Sequence, residues 1–137
     1  MIYTSADAQV RVSINANIGR QPVWGPAGYD YAQYYYLPDI DVYYDIQSTN
    51  FIYQDCGRWV TAAALPVRYH NYNLYSGYKV VVNDQRPYMH HEYYRNKYAG
   101  YRNYHGRQVV IRDSRDKRYV IVNRNYNKHN GRVIVMR

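Results

Sequence analysis

Tyrosine sets the terms on which this chain can fold. It supplies 21 of the 137 residues, against two Trp and one Phe. Each ring is a large apolar body to bury, and each hydroxyl needs a partner or water. The hydrophobic fraction of 47% is therefore less oily than it looks, and the mean hydropathy is −0.73. At 16.4 kDa the chain fits one domain. Folded chains of this size bury roughly two thirds of the surface their unfolded form exposes, so a real core is within reach.

Several classes are excluded at once. No run approaches the roughly 20 apolar residues of a membrane-spanning helix. β-branched and aromatic residues recur along the whole chain, which argues against disorder. Cys56 is the single cysteine, so neither an internal disulfide nor a Cys-rich zinc cluster can form. It reads as a small half-buried side chain near a turn.

Alternation places the strands. In residues 9–18, Val10, Val12, Ile14, Ala16 and Ile18 fall on one face, and Arg11, Ser13, Asn15 and Asn17 on the other. That period of two predicts a half-buried strand. Residues 19–28 read as a loop punctuated by Pro22, Gly25, Pro26 and Gly28, with Trp24 plugging it onto the core. Residues 41–47, 51–54 and 58–62 predict a three-strand antiparallel meander. Its turns fall at Ser48-Thr49-Asn50 and at Asp55-Cys56-Gly57, where Gly suits positive φ. Residues 67–77 are Tyr- and Asn-rich and read as irregular. Residues 78–83 predict a further strand, in which Val80, Val81 and Val82 suit burial on both faces. Asp84 near a cap and Pro87 in a first turn predict a helix over 88–98, with Glu92 one turn before Arg95 and Asn96. Residues 99–107 read as a linker. Strand-like runs follow at 108–112, 118–123 and 132–136.

Charge divides the chain. Residues 1–66 hold three Arg against six Asp, a net of −3, and residues 67–137 hold fifteen Lys and Arg against four acids, +11, which together make the +8 of the whole. A basic half attracts phosphates, acidic polysaccharides or anionic lipid heads through the same long-range field, or it serves only to solubilise a strand-rich surface. The N-terminus adds a compartment signal: Ala6-x-Ala8 has the small-x-small form of a signal-peptidase site, with Gln9 as the new N-terminus.

A set of linked motifs carries a resemblance. They are Gln21-Pro22-Val23-Trp24-Gly25-Pro26-x-Gly28-Tyr29-Asp30, Tyr34-Tyr35-Tyr36-Leu37-Pro38-Asp39-Ile40-Asp41-x-Tyr43-Tyr44-Asp45, Gly57-Arg58-Trp59, and Leu65-Pro66. With Phe51-Ile52-Tyr53 and Tyr75-x-Gly77-Tyr78-Lys79-Val80, the chain over roughly 9–112 resembles small exported proteins of Bacteroidota that carry no assigned activity. The resemblance implies export by a signal peptide, in agreement with Ala6-x-Ala8. It supplies no catalytic residues.

The search for chemistry is correspondingly thin. No Gly-x-Ser-x-Gly stands in the chain, and no serine sits beside a base in a local signature. Asp39 and Asp41 occupy alternate positions of an extended segment, about 7 Å apart, and with Asp45 suit glycosidic acid–base work or calcium, or simply cap a strand. His90, His91 and Glu92, joined by His70 and His105, are the best metal candidates, although adjacent His residues on a helix point apart. Tyr94, Tyr98, Tyr101 and Tyr104 interleave with Arg95, Arg102 and Arg107, and Arg112, Arg115 and Arg118 follow. Aromatic faces beside guanidinium groups suit stacking on bases or sugar rings with anion binding, or stacking on one another.

These readings converge on a mainly β chain: antiparallel meander strands, one short helix and a basic C-terminal β-hairpin region. Residues 1–8 are a candidate signal-peptide remnant, 9–98 a Tyr-rich β domain, and 99–137 a basic strand region. The expected function is a non-enzymatic structural protein of the periplasm, cell surface or extracellular space. It would self-assemble into a homo-oligomer or filament by edge pairing through Val10, Val12, Ile14 and Ile18. The alternative is an anion-binding module for acidic polysaccharide or extracellular DNA. No cofactor is implied.

Overall fold

The computed structural model describes residues 16–119. Five strands form one antiparallel sheet: β1 (Tyr34–Leu37), β2 (Val42–Asp45), β3 (Asn50–Asp55), β4 (Arg58–Ala62) and β5 (Val80–Val82), in the order β4-β3-β2-β1-β5. One short helix, α1 (His91–Lys97), follows a 3-10 turn at Pro87–His90. The mainly β expectation, with little helix, is borne out. Among the described residues no helix is long and apolar enough to cross a membrane.

The meander forms where alternation and turn residues placed it. Cys56 and Gly57 both take positive φ, 53° and 77°, which is the type I′ geometry that closes a two-residue hairpin without splaying its strands. The Cys56 thiol is exposed at that turn rather than half-buried. The sheet has one more strand than the alternation predicts. Tyr34-Tyr35-Tyr36-Leu37 becomes β1, fully buried and flanked by β2 and β5.

Both faces of the sheet are covered, so alternation sorts residues between two cores rather than between core and water. Tyr35, Leu37, Val42, Tyr44, Ile46 and Phe51 face one cluster, closed by Trp24, Leu65, Tyr72 and Leu74. Tyr34, Tyr36, Tyr43, Ile52, Val80 and Val82 face the other, closed by Tyr94 of α1 with Trp59, Tyr88 and Tyr98. Trp24 plugs its loop as expected, edge-on to Tyr44 with ring centroids 4.8 Å apart. Tyr43, which alternates with Val42 and Tyr44 and shares its side of the strand with Asp41 and Asp45 in the sequence, is fully buried.

The tyrosine hydroxyls are accommodated at the margins of these cores. Tyr36 donates to Asp41 at 2.7 Å, Tyr72 to Asp39 at 2.8 Å and Tyr94 to Asp84 at 2.6 Å. Among the described residues no buried side-chain nitrogen or oxygen lacks a partner, which is what a low-dielectric interior requires. Lys79 is equally buried. Its Nζ donates to the carbonyls of Leu74 (2.5 Å) and Tyr75 (3.2 Å), and burial lowers its pKa to about 8.

Further expectations are corrected. Asp84 does not cap the helix: it accepts from the Tyr94 hydroxyl and the Gln85 amide. Residues 108–112 do not form a strand. Val110 makes one isolated bridge with Pro26, supported by Ala27 N–H to Val109 O (2.9 Å) and Ile111 N–H to Gly25 O (2.8 Å), before a 3-10 turn at Ile111–Asp113. The opposing segment contains Pro22 and Pro26, which have no N–H to continue a ladder. Residues 117–119 likewise form a 3-10 turn. The rest of the 118–123 run, and the 132–136 run, lie outside the described residues.

Segment 99–119 is bonded to the sheet. Arg102 reaches Asp41, the Asn103 amide donates to Asp39 at 2.5 Å, and the Gly28 amide donates to the Tyr119 hydroxyl at 2.6 Å. The Gln108 side-chain amide accepts from Lys79 N–H (3.0 Å) and donates to Lys79 O (2.9 Å), in the manner of a strand partner just before β5.

Candidate functional site

An open groove of about 890 Å³ lies between the β3–β4 hairpin, the turn at Val67–Tyr69 and the start of α1. Trp59 of β4 and Tyr88 supply its aromatic wall, with centroids 5.7 Å apart, and His91 sets its ring edge-on to Trp59 at 5.2 Å. Arg68 is held over the Tyr69 ring at 5.0 Å, and its Nη2 donates to the Gln54 carbonyl at 2.9 Å. Arg95 and Glu92 project from α1 into the same lining. Neither has an ion-pair partner among the described residues.

Behind the wall runs a network that fixes His91. Its Nδ1 lies 2.8 Å from the Tyr43 hydroxyl, and its Nε2 3.7 Å from Asp41 Oδ1. A Tyr43 hydroxyl donating to Nδ1 leaves the Nε2 proton facing the carboxylate, the tautomer this arrangement favours. Arg102 spans both oxygens of Asp41 at 3.1 Å each. Asp41 itself sits at φ 54°, a left-handed conformation that Asp tolerates better than most residues. Burial pushes the His91 pKa below its ordinary 6.5. The unfolded chain then binds a proton that the folded chain resists, so stability falls as pH drops through and below about 6.5. His91→Gln is expected to flatten that acid limb in urea melts between pH 7 and 5. An unchanged limb would show that His91 does not carry it.

The sequence candidates scatter around this site. His91 lies in the groove wall, but His90 and Glu92 do not converge with it, and among the described residues no three His, Cys, Asp or Glu could hold a metal together. Asp39, Asp41 and Asp45 are separately engaged: Asp39 by Tyr72 and Asn103, Asp41 by Tyr36 and Arg102, and Asp45 by the Gln47 and Ser48 amides. Of the six arginines, only Arg95 lines the groove. Arg102, Arg112 and Arg118 are paired with Asp41, Asp113, and Asp30 with Asp116. Arg107 and Arg115 are exposed.

The stacking tyrosines mostly serve the protein itself. Tyr94 is buried. Tyr101 stacks on Tyr78 at 4.4 Å and 9°, and Tyr104 meets both edge-on. Tyr98 packs on Tyr36. Arg112 lies over Tyr75 at 4.1 Å, the intramolecular alternative to ligand stacking. Of the pairing residues, Val10, Val12 and Ile14 lie outside the described residues. Ile18 lies in a 3-10 turn and packs against Val23, Ile111 and Tyr119.

Trp59, Arg68, Tyr69 and Tyr88 were not singled out from the sequence as ligand-facing. In the sequence Trp59 lies within the strand over 58–62, and Arg68 within a stretch that reads as irregular. No family model matches the chain, and neither a curated protein nor a solved structure shows significant similarity to it.

Proposed function

We propose that this protein is an exported, non-enzymatic binding module that takes an acidic polysaccharide into the groove. The observation that carries the reading is the juxtaposition there of a Trp59–Tyr88 wall with Arg68 and Arg95. Aromatic faces suit the apolar faces of sugar rings, and the guanidinium groups suit carboxylates. Glu92 and Asp41 in the same lining suit hydrogen bonds from sugar hydroxyls, which leaves the carboxylates of the ligand to Arg68 and Arg95. Export is supported by the motif resemblance and by Ala6-x-Ala8.

The test is calorimetric titration of the full chain with polygalacturonate, and separately with duplex DNA, at low and moderate salt. Trp59→Ala and Arg95→Ala are each expected to weaken polygalacturonate binding about tenfold, the loss of one charge-assisted or stacking contact. Affinity should also fall with salt. The double variant Arg107→Ala with Arg115→Ala should bind as the parent does. If that variant alone loses binding, or DNA binds while polygalacturonate does not, the groove reading is wrong.

A second reading, a structural protein that self-assembles by edge pairing, is favoured by one observation. The outer edge of β4, at the end of the sheet, makes no hydrogen bond among the described residues.

A further inference from the structure

We propose that β4 pairs antiparallel with β4 of a second copy about a two-fold axis at Val60, an inference that rests on the self-assembly reading and names its partner strand. The backbone geometry points there. The two-residue turn at Cys56-Gly57 makes Asp55 and Arg58 a hydrogen-bonded pair. Alternation then turns the N–H and C=O of Arg58, Val60 and Ala62 toward β3, and those of Trp59 and Thr61 outward. Trp59 and Thr61 stand symmetrically about Val60. In a second, antiparallel β4, Trp59 therefore meets Thr61 of the other copy in register, and each such pair exchanges both backbone bonds. Arg58 falls opposite Ala62, and Val60 opposite itself, so no like charges are opposed.

The side chains agree with this register. Val60, Thr61 and Ala62 include no Pro, Gly or charge to blunt the edge, and Arg58 stands only at its end. The opposite edge is treated differently: β5 has three residues, and Gln108 occupies both backbone groups of Lys79 beside it. Trp59 lines the groove, so pairing brings Thr61 of the second copy beside the groove's aromatic wall.

The experiment uses the full chain. Cys56→Ser with Val60→Cys places two thiols across the axis in a non-hydrogen-bonded pair, about 4.5 Å apart at Cα, within disulfide range. Mild oxidation is expected to give a covalent dimer. The parent should give none through Cys56, since in this pairing the two Cys56 residues lie roughly 27 Å apart. Thr61→Pro removes an outward N–H and no β3 bond, and Val60→Lys opposes two charges at the axis. Each should raise the dimer dissociation constant by sedimentation about tenfold or more without changing the circular dichroism. Val12→Pro, which disrupts the other candidate donor strand, should leave the dimer intact. Loss of assembly in Val12→Pro, with no Val60 cross-link, overturns the inference while sparing self-assembly. A parent chain that is monomeric at all concentrations overturns both.

Discussion

Alkali is expected to unfold this protein in one cooperative step near pH 11 to 12. Tyr35 is buried in one cluster and Tyr36 and Tyr43 in the other, and burial is the largest cause holding each phenol far above its ordinary 10.0. Tyr44, Tyr72 and Tyr94 are raised for the same first reason. A group whose pKa is higher in the folded state contributes stability that is intact below the unfolded pKa and is lost as pH rises above it. Each withheld ionisation costs about 1.4 kcal/mol per pH unit beyond 10, so the three most buried phenols together cost roughly 4 per unit and about 8 by pH 12. That matches the whole stability of a typical domain, about 5–15 kcal/mol. Lys79 acts in the opposite sense at lower pH. Its folded pKa of about 8 lies below the ordinary 10.5, so the folded chain gains stability as pH rises from 8 toward 10. The late part of the tyrosinate absorbance, from the buried phenols, and the far-ultraviolet dichroism, followed together against pH, should therefore change in the same step. A phenol titration completed by pH 11 with the dichroism intact would refute the account.

Tyr43→Ala is expected to cost about 3–5 kcal/mol, the range for deleting a fully buried aromatic ring. The Tyr43 ring lies 4.9 Å from Tyr36, 5.9 Å from Trp59 and 5.6 Å from His91, so its removal opens a cavity under the groove wall. Tyr43→Phe keeps the ring and removes only the hydroxyl on His91 Nδ1, which should cost about 1–2 kcal/mol. Urea melts at pH 7 measure both. Equal costs would mean that the hydroxyl, not the ring, carries the site. A cost below about 1 for Ala would mean that Tyr43 is not packed as described.

The hairpins and the helix were legible because local chemistry decided them. Cys56-Gly57 closes a turn whatever lies behind it, and Tyr88, His91, Tyr94 and Tyr98 recur at helical spacing. Four consecutive buried residues make β1, and a strand covered on both faces leaves no alternation to read. Val109-Val110-Ile111 has strand composition, yet the segment beside it contains Pro22 and Pro26. No local pattern reports a neighbour that lies some 85 residues away along the chain. The groove was illegible for the same reason. Its lining comes from four separate stretches, around Asp41, Trp59, Arg68 and His91. Nor does composition say which arginines are already paired: Arg102 and Arg118 find carboxylates in the acidic half of the chain, Asp41 and Asp30.

Under the proposed pairing, the side-chain amide of Gln108 beside β5 would limit the valence of the molecule. A monomer with two reactive ends polymerises, and a monomer with one reactive end can only form a pair. With Gln108 on Lys79 and β5 only three residues long, β4 is the longer open edge among the described residues, the one the proposed pairing uses. Under the proposed pairing, strand addition at β4 would end at one ten-stranded sheet instead of running on into a fibre.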